Sequence, residues 1–379
     1  KMIKLSLVAA VAVAGLTTSA TAGSLSDAIK DTTLSGKAMV GYNVYDDKIS
    51  TNNANEIEYD FDATLTTKVN DTISFTTGIQ ADHNNDVRNT NTDTTQYYKT
   101  WAEVAADAPT GVKTNGEKLT LTKLYFTAKT DAATVMIGKQ GQPTPFLDDE
   151  RGDGIVAIVP AGPVTVAAGH FTGLNGQSKL PSMDISAAAV IGTFGPVNAS
   201  LWFLDASGDL ADGYSLNLNG KFGPVNVDLT HTDLSYGDVL ADESASLTKL
   251  AVSGKAGSVN LVAAYAMTND DQDGRGLGVD LTSDDDSKTN FAGEMITLDD
   301  HNDASAYLIG ASMTFGPTTV GAQYIVADVD NGAVADIDAQ ELNFDVAYAM
   351  SKNFSITAEY AIYDAEQSGA KIADQTQME

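Results

Sequence analysis

Residues 141–153 read GQPTPFLDDERGD, so Asp148, Asp149, Glu150 and Asp153 crowd carboxylates into a stretch stiffened by Pro143 and Pro145. Acids at this density do one of three things: hold a cation, share a proton with a neighbouring nucleophile, or set an electric field that charged solutes feel. The chain has no Gly-x-Ser-x-Gly elbow, no paired-His motif and no cysteine, while His83, His170, His231 and His301 stand at no metal-ligand spacing. Nothing positions a nucleophile beside the acids, so the reading is of a protein that is not an enzyme.

A cation is the second possibility, and a different stretch raises it. Asn269-Asp270-Asp271-Gln272-Asp273-Gly274 continues to Asp280, which sets Asn269, Asp271, Asp273 and Asp280 at the first, third, fifth and twelfth places of a calcium loop, with glycine at the sixth. The flanks argue against it, because position one is Asn, position twelve is Asp in place of a bidentate Glu, and no helical pattern adjoins. The expectation is a solvated acidic rim attracting divalent ions diffusely, with specific Ca²⁺ as the minor alternative. Gly274-Arg275-Gly276-Leu277-Gly278 lacks the strand and helix of a nucleotide cradle, and Arg151-Gly152-Asp153 is a chance match to an adhesion tripeptide.

What must position these side chains is a β structure. In Ile57–Val69 the apolar set Ile57, Tyr59, Phe61, Ala63 and Leu65 alternates with Glu58, Asp60, Asp62, Thr64, Thr66 and Lys68, giving a greasy face and a charged one. The same period recurs along the chain and yields seventeen candidate strands, the last two at 341–350 and 354–363. Connections between them alternate long and short from the first strand onward. The short ones include Phe194-Gly195-Pro196-Val197, Phe222-Gly223-Pro224-Val225 and Phe315-Gly316-Pro317-Thr318, corners that neither a helix nor a central strand tolerates.

A soluble sandwich has no reason to collect every tight turn at one end. A transmembrane antiparallel β-barrel does, with short periplasmic turns, long outer loops and strands that alternate lipid-facing apolar with lumen-facing polar residues. In hydrocarbon every backbone N–H and C=O must be bonded internally, so the sheet must close on itself. Bacterial barrels carry even strand numbers, which predicts eighteen, with the last strand missing after a loop at 364–374. Phe194, Phe222 and Phe315 fall at the interfacial aromatic girdle.

Composition agrees. Lys and Arg total 22 against 51 Asp and Glu, for a net charge of −29, which argues against nucleic acid as a partner. Residues 1–22, with Lys1, Lys4, an apolar run from Leu5 to Leu16 and Ala20-Thr21-Ala22, read as a secretory signal peptide preceding a barrel over 23–379. Export and the strand rhythm together place the protein in the bacterial outer membrane, among lipid and lipopolysaccharide.

Leu5-Ser6-Leu7-Val8-Ala9-Ala10, Asp27-Ala28-Ile29-Lys30-Asp31, Leu34-Ser35-Gly36, Leu124-Tyr125-Phe126 and Ile137-Gly138-Lys139-Gln140 resemble the major outer membrane porin family of Campylobacter and related bacteria. The resemblance covers roughly the first 155 residues and implies an 18-stranded, trimeric diffusion porin. On that reading the field is the chemistry. The stretch 141–153 folds inward, with Asp148, Asp149, Glu150 and Asp153 as the acidic side of a constriction. Lys123, Lys37 and Lys68 form a basic wall, Lys123 nearest mid-height, and Glu58, Asp60, Asp62, Asp345 and Glu359 also point inward. The summed field predicts passage of small hydrophilic solutes and cations. The competing expectation is a barrel that only anchors adhesive or structural loops at 83–118 and 268–304.

Overall fold

The computed structural model describes residues 32–49, 53–84, 118–142, 144–147, 151–174, 184–208, 210–237, 244–269, 278–279, 293, 295–298, 301–330 and 336–379. The expected signal peptide, Asp148, Asp149, Glu150, Asp271, Asp273 and Asp280 lie outside these residues.

Alternation of apolar and polar residues builds every element as a strand. They are β1 (Thr32–Asp47), β2 (Asn53–Lys68), β3 (Ile73–Asn84), β4 (Lys118–Lys129), β5 (Thr134–Gly141), β6 (Arg151–Ala161), β7 (Val164–Leu174), β8 (Asp184–Phe194) and β9 (Val197–Ala206). The second half adds β10 (Ala211–Phe222), β11 (Val225–Tyr236), β12 (Ser244–Ala256), β13 (Val259–Thr268), β14 (Ala304–Phe315), β15 (Thr318–Val329), β16 (Ile337–Ser351), β17 (Phe354–Gln367) and β18 (Ala370–Met378). Each pairs antiparallel with the next, and β18 pairs with β1 through Val44–Asp47, so the 18-stranded sheet closes into a barrel.

The tight corners explain one end of it. Gly162, Gly195, Gly223, Gly257 and Gly316 follow a strand end directly and carry φ between +58 and +66. That is the first central position of a two-residue II′ hairpin turn, whose twist suits antiparallel strands. A Cβ built on any of them would meet nothing within 4 Å, so backbone angle and not crowding selects glycine there. Phe194, Phe222 and Phe315, each more than half exposed, ring these turns at the edge of the apolar belt.

One expectation is corrected at the other end. The eighteenth strand is present, and the predicted loop at 364–374 is the end of β17, a turn and the start of β18. Ser368 and Gly369 have φ of 53° and 71°, the paired left-handed conformation of a I′ hairpin turn. Charge disguised the strands in the sequence. Asp364, Lys371 and Asp374 break the apolar pattern, yet they join Lys48 in a string of ion pairs across β17, β18 and the end of β1, at 2.8, 3.1 and 2.6 Å. The hydrogen bond from Lys48 to Asp374 holds the Lys48 ammonium above its ordinary pKa.

Outward-facing positions are apolar around the wall: Val40, Phe61, Leu124, Ile137, Val190, Phe203, Leu250, Ile309, Val326 and Phe344 are all large, hydrophobic and exposed. Exposed apolar surface on this scale marks a membrane-facing belt. The buried core is therefore inside the barrel. At the long-connection ends of β8–β18 the inward residues Ile185, Leu204, Leu234, Leu247, Ala306, Ile325, Ile337 and Tyr363 form one apolar cluster.

Candidate functional site: the inner wall of the barrel

Two chain segments fill that cluster from within. Phe146 and Leu147, from the connection between β5 and β6, and Val279, Met295, Ile296 and Leu298, from the connection between β13 and β14, are 0 to 4% exposed and pack against the inward side chains of the wall. The alternation rule did not anticipate this. Toward the outer ends both faces of a strand are apolar, as in Leu201-Trp202-Phe203-Leu204 and Tyr324-Ile325-Val326-Ala327, and those uninterrupted runs were the available signal. Trp202 packs inward against this cluster.

One carboxylate ties the second segment in place. Glu341 of β16 is 1% exposed, and its Oε2 accepts the backbone N–H groups of Met295 at 3.0 Å and Ile296 at 2.7 Å. Asn343 Nδ2 donates to its Oε1 at 2.6 Å. Sequence reasoning missed Glu341 because nothing local distinguishes an acid that receives a loop from one that faces water.

Closer to the tight turns the same strands are polar inside. Thr193 donates to Asn198 at 2.8 Å, Asn198 to Asn219 at 3.0 Å, Asn219 to Asn217 at 2.7 Å, and Asn217 to both Asp228 and Thr230 at 2.9 Å. This amide ladder crosses β8–β11 on the inner face. Beyond it a recess of about 180 Å³ is lined by the polar Ser253, Asn260, Ser312, Gln323 and Asp345 together with Leu261, Val262 and Ala311. Asp345 sits opposite Gly321 on β15 and Glu359 on β17 in the strand registers.

The wall from β1 to β6 carries the opposing charges. Lys37 stands across from Asp62 in the β1–β2 register, with Asp60 two places along β2 and Glu58, placed by register opposite Gly41, two further. Lys123 reaches back over β3 to Thr64, Nζ to Oγ1 3.2 Å. Its stem lies over Gly78, where a Cβ would come within 3.1 Å of Lys123 Cβ and Cδ. Arg151 donates to Gln80 Oε1 at 2.7 Å, and Gln80 Nε2 donates to Asp60 at 3.3 Å, so acid, amide and guanidinium form one chain on this wall. Arg151 escaped the sequence reading, which saw only a chance tripeptide.

The remaining expected residues fall elsewhere. Lys68 pairs with Asp71 in the β2–β3 turn at 3.0 Å, at the rim. Asp153 is exposed and shares its face of β6 with Ile155 and Val159, the outward one, so the acidic inner set does not include it. It lies inside β6 and not in the preceding loop, and alternation from buried Val156 turns it away. Asn269 Oδ1 accepts Ser246 N–H at 2.7 Å and its Nδ2 donates to Ser244 at 3.1 Å, which secures the start of β12. No group of metal-ligand type occurs among the described residues.

A closed wall that is apolar outside and carries amides, carboxylates and cationic side chains inside defines a membrane-spanning β-barrel with a solute-facing interior. The sequence model for Gram-negative porins matches residues 6–368, and the chain belongs to that family. It is an outer-membrane diffusion porin. Among solved structures it is similar to OccAB1 of Acinetobacter baumannii (TM-score 0.70, 14% identity, 95% of this chain and 96% of that one). It is likewise similar to OccK5 (OpdH) of Pseudomonas aeruginosa (0.68, 12%, 92% and 96%) and to a BenF-like porin of Pseudomonas fluorescens Pf-5 (0.68, 14%, 91% and 97%). A search of curated proteins finds none that matches. These likenesses support porins as a whole and do not single out the Campylobacter group.

Proposed function

We propose that this porin passes small hydrophilic solutes with a preference for cations, through a pore narrowed by the part of the stretch 141–153 that connects β5 to β6. The narrowing rests on one observation: Phe146 is fully buried in the apolar cluster inside the barrel, with Leu147 beside it at 4% exposure. A loop anchored by an aromatic residue within the lumen takes up part of its cross-section. The acidic run Asp148, Asp149 and Glu150 directly follows that anchor in the sequence.

Cation preference draws on the net charge of −29 and on Asp60, Asp62, Asp345 and Glu359 on inward strand faces. Lys123 and Arg151 on the β1–β6 wall oppose it and moderate the preference. A homotrimer, and diffuse attraction of divalent ions to the acidic outer connections in place of a dedicated Ca²⁺ site, complete the reading.

The test is the reversal potential across a planar bilayer under a KCl gradient. Wild-type protein is expected to give large, cation-preferring steps, and replacing Asp148, Asp149 and Glu150 with Asn, Asn and Gln lowers that preference. An unchanged potential would remove the β5–β6 connection from the selective part of the pore. Gel mobility before and after boiling tests the trimer, because closed oligomeric barrels keep a distinct mobility until heated.

A further inference from the structure

The carboxylate of Glu341 does more than occupy the inner wall. It is buried inside a membrane protein, where an ionised group is tolerated only when its oxygens are engaged. Two successive backbone N–H groups, from Met295 and Ile296, converge on Oε2. The turn that presents them is closed by Gly293 N–H donating to Ile296 O at 2.6 Å. Gly293 is needed there, since a Cβ on it would stand 2.5 Å from both Glu341 carboxyl oxygens and from Ile325 Cδ1. The carboxylate thus substitutes for an anion seated in a backbone nest, with strand β16 supplying the anion and the connection supplying the nest.

Apolar packing completes the seat. Ile296 and Leu298 are fully buried and Met295 is 3% exposed, against wall residues that include Ile325 and Ile337. Apolar contact alone is non-directional and would admit several loop positions. Two charge-assisted hydrogen bonds to adjacent amides admit one. Unseating this segment would strip both backbone donors from Oε2 and leave only the Asn343 amide on Oε1 among these three bonds, which costs more than loss of the apolar contacts alone.

We infer that Glu341 is the positioning residue that seats Met295–Leu298 inside the barrel and thereby sets the upper size of solute that the pore admits. The inference rests on the porin reading and adds a determinant separate from the acidic β5–β6 connection. It concerns size and not charge: with 1% exposure and these donors on its oxygens, Glu341 meets no passing ion.

The experiment uses full-length protein in proteoliposomes, with swelling rates measured for uncharged sugars of graded size. Glu341→Ala is expected to raise the rate for larger sugars relative to a monosaccharide, moving the cutoff upward, with single-channel conductance rising in parallel. Glu341→Gln keeps one acceptor oxygen and gives an intermediate cutoff. Gly293→Ala reproduces the shift from the loop side with the carboxylate intact, and so serves if Glu341→Ala does not assemble. A role in stability alone would lower the temperature at which gel mobility changes and leave the sugar cutoff of the folded fraction where it was. That result in Glu341→Gln and Gly293→Ala would overturn the inference while the porin reading stands. Wild-type protein passing neither sugar nor ion would overturn both.

Discussion

The inner face of this barrel is two different surfaces on the same strands. On β15, Gln323 lines a recess together with Ser312 and Asp345, while Ile325, Ala327 and Val329, the next inward positions, are buried against an inserted loop. On β11, Asn226, Asp228 and Thr230 belong to polar networks, and Leu234 and Tyr236 to the apolar cluster. The polar half faces space that water can enter, and the apolar half faces the chain itself. Which side of a barrel is inside therefore does not decide its polarity; what fills the inside does.

Substitutions that exchange the two environments sharpen the contrast. Phe146→Ala empties a fully enclosed site and is expected to cost about 3–5 kcal/mol, read from urea unfolding in detergent. A loss near zero would mean that the apolar half is not packed. Leu250→Arg places a charge on the lipid face and is expected to cost about 2–4 kcal/mol in lipid vesicles. Ser253→Arg, on the opposite face of the same strand, should leave stability near wild type, and equal costs would contradict the assignment of faces. Asn217→Ala removes the centre of the amide ladder, but water can replace its partners, so about 0.5–1.5 kcal/mol is the expected loss. A much larger loss would make that half of the lumen dry. Lys123→Ala should change stability least and shift the reversal potential toward stronger cation preference; a shift the other way would take Lys123 off the conducting wall.

On β1 and β2 the apolar and polar residues alternate, and the strand registers keep that alternation. Lys37, Asp60, Asp62 and Lys123 stand on one face of this wall, opposite the exposed Val40, Phe61 and Leu124. On β4 this survives an irregularity: Gly78 pairs with Lys123 and Ile79 with Leu121, which leaves Thr122 as the extra residue of a bulge. Legibility fell where charge and hydrophobicity served purposes other than the wall. The ends of β17 and β18 looked like a loop because Asp364, Lys371 and Asp374 are spent on ion pairs with each other and with Lys48. Asp153 looked like part of an acidic loop because nothing in GQPTPFLDDERGD shows that β6 already begins at Arg151.

Local chemistry alone determined the strand period, the glycine-proline corners and the apolar belt, since each depends on neighbours one or two residues away or on the lipid outside. The partners of Arg151 and Glu341 were decided only by the tertiary structure, which brought Gln80 to one and the Met295–Ile296 amides to the other. Those contacts join positions more than forty residues apart, and side-chain identity at either end is compatible with many partners until the strands and the inserted connection have come together.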